Sequence, residues 1–179
     1  GDFVANHFAG IKNSLRPVLS LANLGHSILG TKAMSSITKG MHNVLGIPLW
    51  TPAMPKAYRV NLHNLQKVKE QPLKVVYFPS CINQTMGLPK ESPVDQPLVD
   101  KMMSLLQKAG YEVIFPKNMD KLCCGTIWES KGMLDIADRK SAELEAALWE
   151  ASEQGKYPVL CDQSPCLHRM RECIKKIKL

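Results

Sequence analysis

The chain has 179 residues, a formal net charge of +7 and 45% hydrophobic residues, which suits one well-buried domain with an appendage and excludes wholesale disorder. It contains no run of about eighteen apolar residues, so no transmembrane helix is expected. Six cysteines are too few for a disulfide-dense secreted scaffold, and the lysines show no aromatic–basic alternation, so no nucleic-acid partner is expected.

Gly1-Asp2-Phe3-Val4 has no basic n-region and so does not resemble a signal peptide. A first residue other than Met suggests a piece of a longer protein. Reduced thiols or metal ligands in a cytoplasmic protein are then the default reading of the cysteines, with peripheral attachment at the inner face of a membrane left open.

Residues 1–57 hold no cysteine and a single acidic residue, Asp2, against Lys12, Arg16, Lys32, Lys39 and Lys56. Ile11, Leu15, Val18, Leu19, Leu24, Ile28 and Leu29 sit at loosely helical spacing. Gly25, Gly30, Gly40 and Gly46 interrupt them, so two or three short helices are expected. Pro48, Pro52 and Pro55 cannot all be helical. The expected organisation is a helical extension over 1–57, a linker over 58–73 and an α/β domain over 74–179. An apolar, basic extension of this kind is expected to pack on a neighbouring domain.

From Lys74 the pattern is regular. Val75-Val76-Tyr77-Phe78, stopped by Pro79, reads as a buried strand. Leu98, Met102, Leu105 and Ala109 mark a helix, with Pro97 near its start and Gly110 past its end. Tyr111-Glu112-Val113-Ile114-Phe115, stopped by Pro116, is a second strand. Residues 129–154 carry a helical stripe of Leu134, Ala137, Leu144, Leu148 and Ala151, with Gly155 as its cap. Val159-Leu160-Cys161 is a third strand, and Pro165 opens a last helix with Leu167, Met170, Ile174 and Ile177 inward. The fold class is therefore α/β: a small parallel sheet in β-α-β-α-β-α order after a helical extension.

On that order the cysteines fall into a frame, Cys81-x41-Cys123-Cys124-Gly125-x40-Cys166. Adjacent cysteines rarely bridge one another, but both can face one metal centre. Cys81 follows the first strand, Cys123 and Cys124 the second, and Cys166 the third. The C-terminal ends of parallel strands share one edge, so the four thiols converge there. Gly125 would let backbone approach a bulky group closely. Iron–sulfur clusters and tetrahedral zinc both take several thiolates, and unliganded thiols are the bland alternative. No local Cys-x2-Cys knuckle exists, which favours a cluster over zinc. Cys161 and Cys173 read as small core residues, His168 as a surface or capping residue, and Trp128 as packing or a shield for a cluster.

Phe78-Pro79-Ser80-Cys81, Cys123-Cys124-Gly125 and Asp162-Gln163-Ser164-Pro165-Cys166 resemble the cysteine-rich CCG domain. That domain occurs in heterodisulfide reductases, in the iron–sulfur subunits of glycolate oxidase and anaerobic glycerol-3-phosphate dehydrogenase, and in flavin- and iron–sulfur-containing D-lactate dehydrogenases. The wording around the motifs looks most like the last of these, over roughly 74–179. The resemblance implies an electron-transfer domain of a flavin-linked D-lactate or related 2-hydroxy-acid dehydrogenase, without dehydrogenase activity of its own. It implies a 4Fe–4S-type cluster on Cys81, Cys123, Cys124 and Cys166, with FAD in a neighbouring domain. Its implied partners are that flavin domain, other iron–sulfur modules and an acceptor such as a quinone or a membrane chain. The family pattern ends in Cys-x2-Cys, which would require a cysteine where Gln163 stands; Cys161, two residues earlier, is the substitute ligand to consider. A structural zinc module and a thiol–disulfide redox domain are the rival readings.

Overall fold

The computed structural model describes residues 1–61, 73–175 and 177. Its centre is a parallel three-stranded sheet in which β2 (Leu73–Phe78) lies between β4 (Tyr111–Ile114) and β5 (Val159–Cys161). Val75 pairs with Val113, Val76 with Val159, and Phe78 with Cys161. Successive side chains of a strand point to opposite faces. Val76 and Phe78 accordingly pack with Leu144, Leu148, Val159 and Met170, while Val75 and Tyr77 pack on the other face with Val99, Met103 and Val113. Helices cover both faces, which is why the central strand can be apolar from Val75 to Phe78. Each of these buried side chains contributes about 1.5–3 kcal/mol.

Those helices are α3 (Leu98–Lys108) on one side and α5 (Leu134–Ala151) with α6 (Ser164–Cys173) on the other. The helical stretch anticipated over 129–154 is divided. A short α4 (Thr126–Glu129) ends in a turn at Gly132, whose φ of +72° suits glycine, and α5 begins two residues later. Ile174 and Ile177 point inward as expected, although the helix stops before them.

The strict β-α-β-α-β-α order does not hold. Between β2 and α3 lies β3 (Met86–Pro89), which pairs antiparallel with β1 (Pro55–Ala57) in a second, two-stranded sheet. A 3-10 turn, Met119–Lys121, and α4 also intervene between β4 and α5. The fold is α/β with mixed parallel and antiparallel sheets after a helical extension. Tyr58 and Val60, from the expected linker 58–73, pack against the β2–α3 core; residues 62–72 of that linker lie outside the described ones.

The extension consists of α1 (Asp2–Asn6) and α2 (Phe8–Leu45). Gly25 and Gly40 stay within the helix. Gly30 breaks it, with φ 76° and ψ 173°, and Gly46 ends it at φ 65°, its N–H donating to the His42 carbonyl at 2.8 Å. The extension thus has three helical pieces, two of them long rather than short. It packs on this chain itself through Ala5, Phe8, Lys12 and Leu19. Arg16 anchors it, donating from Nε to the Tyr58 carbonyl at 2.8 Å and from Nη2 to the Gln84 carbonyl at 3.0 Å. Among the described residues no helix is long and apolar enough to cross a membrane.

Candidate functional site

Three loops leave the C-terminal edge of the parallel sheet, and each is fixed by its own polar contacts. After β2, the Ser80 N–H donates to Asp162 Oδ1 at 2.8 Å and the Tyr77 hydroxyl to Asp162 Oδ2 at 2.9 Å. Asp162 therefore clamps the β2 loop to the β5 loop. Gln84, almost fully buried, donates from Nε2 to the Pro79 carbonyl at 2.7 Å, and Thr85 Oγ1 donates to the carbonyl of Cys81. These bonds close the turn that carries Cys81.

After β4 the chain reaches Cys123 and Cys124, both buried. Ser141 Oγ on α5 donates to the Cys124 carbonyl at 2.7 Å. Gly125 has φ +94°, and a Cβ there would lie 2.4 Å from the Ala137 carbonyl oxygen. The glycine is required by the close approach of α5 and by its left-handed backbone. After β5, Cys161 ends the strand and Gln163 precedes α6, which has Pro165 in its first turn and Cys166 beside it. Arg169 fastens α6 to α4 through Glu129 Oε1 at 2.7 Å, and to α5 through Asp138.

The cysteines meet in a run. Cys81 packs against the cluster that holds Cys123, Cys124 follows Cys123 in the chain, and Cys161 and Cys166 pack against the cluster that holds Cys124. Hydrogen bonds from Cys123 and Cys166 hold the Cys124 thiol well below its usual range, helped by Thr126, whose Oγ1 lies 3.2 Å from the sulfur. Cys123 and Cys166 are pushed up, first because each hydrogen-bonds a neighbouring thiol on both sides and then by burial. Cys81 and Cys161, at the two ends, are held down by the thiols of Cys123 and Cys166 respectively. The Gly125 N–H adds a 3.5 Å contact to the Cys123 sulfur.

Every cysteine anticipated as a ligand, Cys161 included, belongs to this run. Cys173 does not; it borders a small surface recess of Asp138, Ser141, Ala142 and Glu145. His168 is exposed and 3.5 Å from Glu172, a surface residue as expected. All six cysteines are free. Among the described residues, no three His, Cys, Asp or Glu side chains are placed to hold a single metal ion.

Sequence reasoning missed the residues around the run. Ala5 and Phe8 pack with Cys123, Trp128 and Ala137, and Cys81 borders the same cluster. The Phe8 and Trp128 rings are 5.6 Å apart. Lys12 is 4% exposed, and its Nζ donates to Gln84 Oε1 at 2.7 Å. A signal for this existed: Ala5, Lys12, Leu19 and His26 recur every seventh residue, on one side of a helix, and all are buried. No family model, curated protein or solved structure matches the chain.

Proposed function

We propose that the chain is an electron-transfer module in which Cys81, Cys123, Cys124, Cys166 and Cys161 hold an iron–sulfur cluster. The observation that carries the reading is the run of cysteines drawn from three loops at one sheet edge. The donor set fits such a group: every member is a free thiol, and thiolate is the ligand that iron–sulfur clusters take. Cys161 stands in for the cysteine that the CCG pattern would place at Gln163.

Within this reading the chain's own residues have distinct tasks. Phe8 and Trp128 keep water from the Cys123 side. Asp162 keeps the Cys81 loop and the Cys161–Cys166 loop at a fixed separation. Thr126 and the Gly125 N–H stabilise negative charge on Cys124 and Cys123. A bound cluster supplies one-electron exchange. The parent enzyme is a flavin-linked D-lactate or related 2-hydroxy-acid dehydrogenase of the cytoplasm, with FAD and hydride chemistry in a neighbouring domain. Electrons leave toward a quinone or another membrane acceptor. Thiol–disulfide exchange suits the site less well, because Cys123 and Cys124 are buried where a protein substrate cannot reach them.

Anaerobic reconstitution followed by iron, sulfide and zinc analysis tests the proposal. Iron with matching sulfide and a visible charge-transfer band is the expected result. Stoichiometric zinc without iron would replace the cluster with a structural metal, and the absence of both metals would remove the proposal.

A further inference from the structure

The loop that follows β4 borders a recess of about 560 Å³ at the C-terminal edge of the parallel sheet, the edge where open α/β folds hold their ligands. Phe115 and Met119 give the recess its apolar lining, and Asn118 makes the turn between them in the left-handed conformation, at φ 52°. The polar lining comes from other segments: Asn13 and Arg16 of α2, Arg59 after β1, and Gln84 after β2. Two guanidiniums therefore share one space. Arginine stays protonated in proteins, and like charges brought together repel. Arg16 donates to the Tyr58 carbonyl, the Gln84 carbonyl and Asn13 Oδ1, all of them neutral acceptors. Among the described residues, neither arginine has a carboxylate within ion-pair distance. Asp120 also lines the recess and offsets one of the two charges from farther away. Lys117, on the same lining, is already paired with Glu150.

We propose that this recess binds a small organic anion, its phosphate or carboxylate held between Arg16 and Arg59 and its apolar part against Phe115 and Met119. A guanidinium presents two parallel N–H donors that match either headgroup. Arg16, fixed by its three acceptors, is the rigid half of the clamp, and the exposed Arg59 is the half that closes on the ligand. The two charges feel one another. Burial and then the charge of Arg59 draw the Arg16 guanidinium down from its usual range, with Asp120 opposing them. An anion between the arginines removes that repulsion. The volume is that of an ordinary small-molecule site and admits a body the size of a single ring. No cysteine lines the recess, so the proposal stands whether or not the thiol site holds a cluster.

Isothermal titration calorimetry of the full chain with phenyl phosphate, benzoate and inorganic phosphate tests the proposal. At least one of the two organic anions should bind more tightly than inorganic phosphate, and the better of them identifies the headgroup. Arg59→Gln should weaken that binding about tenfold, and Arg59→Lys should recover part of it, because the charge returns without the fork. Lys117→Gln should change it by no more than about twofold. Arg59 is exposed, so its variants should keep the wild-type circular dichroism spectrum. Neither organic anion binding more tightly than inorganic phosphate would overturn the proposal, as would unchanged binding in Arg59→Gln. An equal loss in Lys117→Gln would also overturn it, by showing general attraction to a basic surface.

Discussion

The covered side of α2 carries Lys12, Arg16, Leu19 and His26, whereas the side that meets water carries Val18, Leu21, Leu24 and Ile28. Lys12 is 4% exposed and Ile28 73% exposed. An ordinary surface helix does the reverse. The seat of α2 is therefore chosen by polar partners more than by apolar area: Gln84 for Lys12, and the Tyr58 and Gln84 carbonyls for Arg16. Direction comes from hydrogen bonds, and Phe8 supplies the apolar anchor at one end. The contrast shows that amphipathicity alone does not tell which side of a helix is covered.

Substitutions on the two sides should separate sharply. The largest loss belongs to the anchor: Phe8→Ala should destabilise by about 3–5 kcal/mol in urea denaturation, because its ring fills the cluster of Cys123 and Trp128. Lys12→Ala should cost about 2–3 kcal/mol, since Gln84 Oε1 would be left buried without its donor. Gly30→Ala should cost about 1–2 kcal/mol; no neighbour lies within 4 Å, so the loss would come from the backbone, whose φ of 76° and ψ of 173° are nearly confined to glycine. Ile28→Ser on the water side should change stability by no more than about 0.5 kcal/mol. A loss at Ile28 as large as that at Lys12 would end the comparison, because both sides would then be covered in solution.

How much of this was legible depends on where each element gets its stability. β2, β4 and β5 were readable because each is a short apolar run closed by a proline or lying before a helix, and the structure moves their ends by no more than a residue. β1 and β3 were not. Pro55-Lys56-Ala57 and Met86-Gly87-Leu88-Pro89 have little strand character, and each is a strand because the other lies beside it. The convergence of Cys81, Cys123, Cys124 and Cys166 followed from strand order alone. Cys161 was ambiguous, since a cysteine after Val159 and Leu160 reads as core until the loop behind it is placed. Lys12 was hidden, because a lone lysine in a basic helix is nearly always solvated.

The position of Cys161 has one more consequence. It is the last residue of β5 and lies opposite Phe78 in the ladder, three residues before Cys81. A sulfur mounted on a hydrogen-bonded strand has less room to shift than one on a free loop. An electron carrier works fastest when its surroundings barely rearrange between the two oxidation states. Under the proposed function, a donor taken from the strand in place of one at Gln163 would give up adaptability at one corner of the site and gain stiffness there, a trade suited to rapid exchange rather than to chemistry on a substrate.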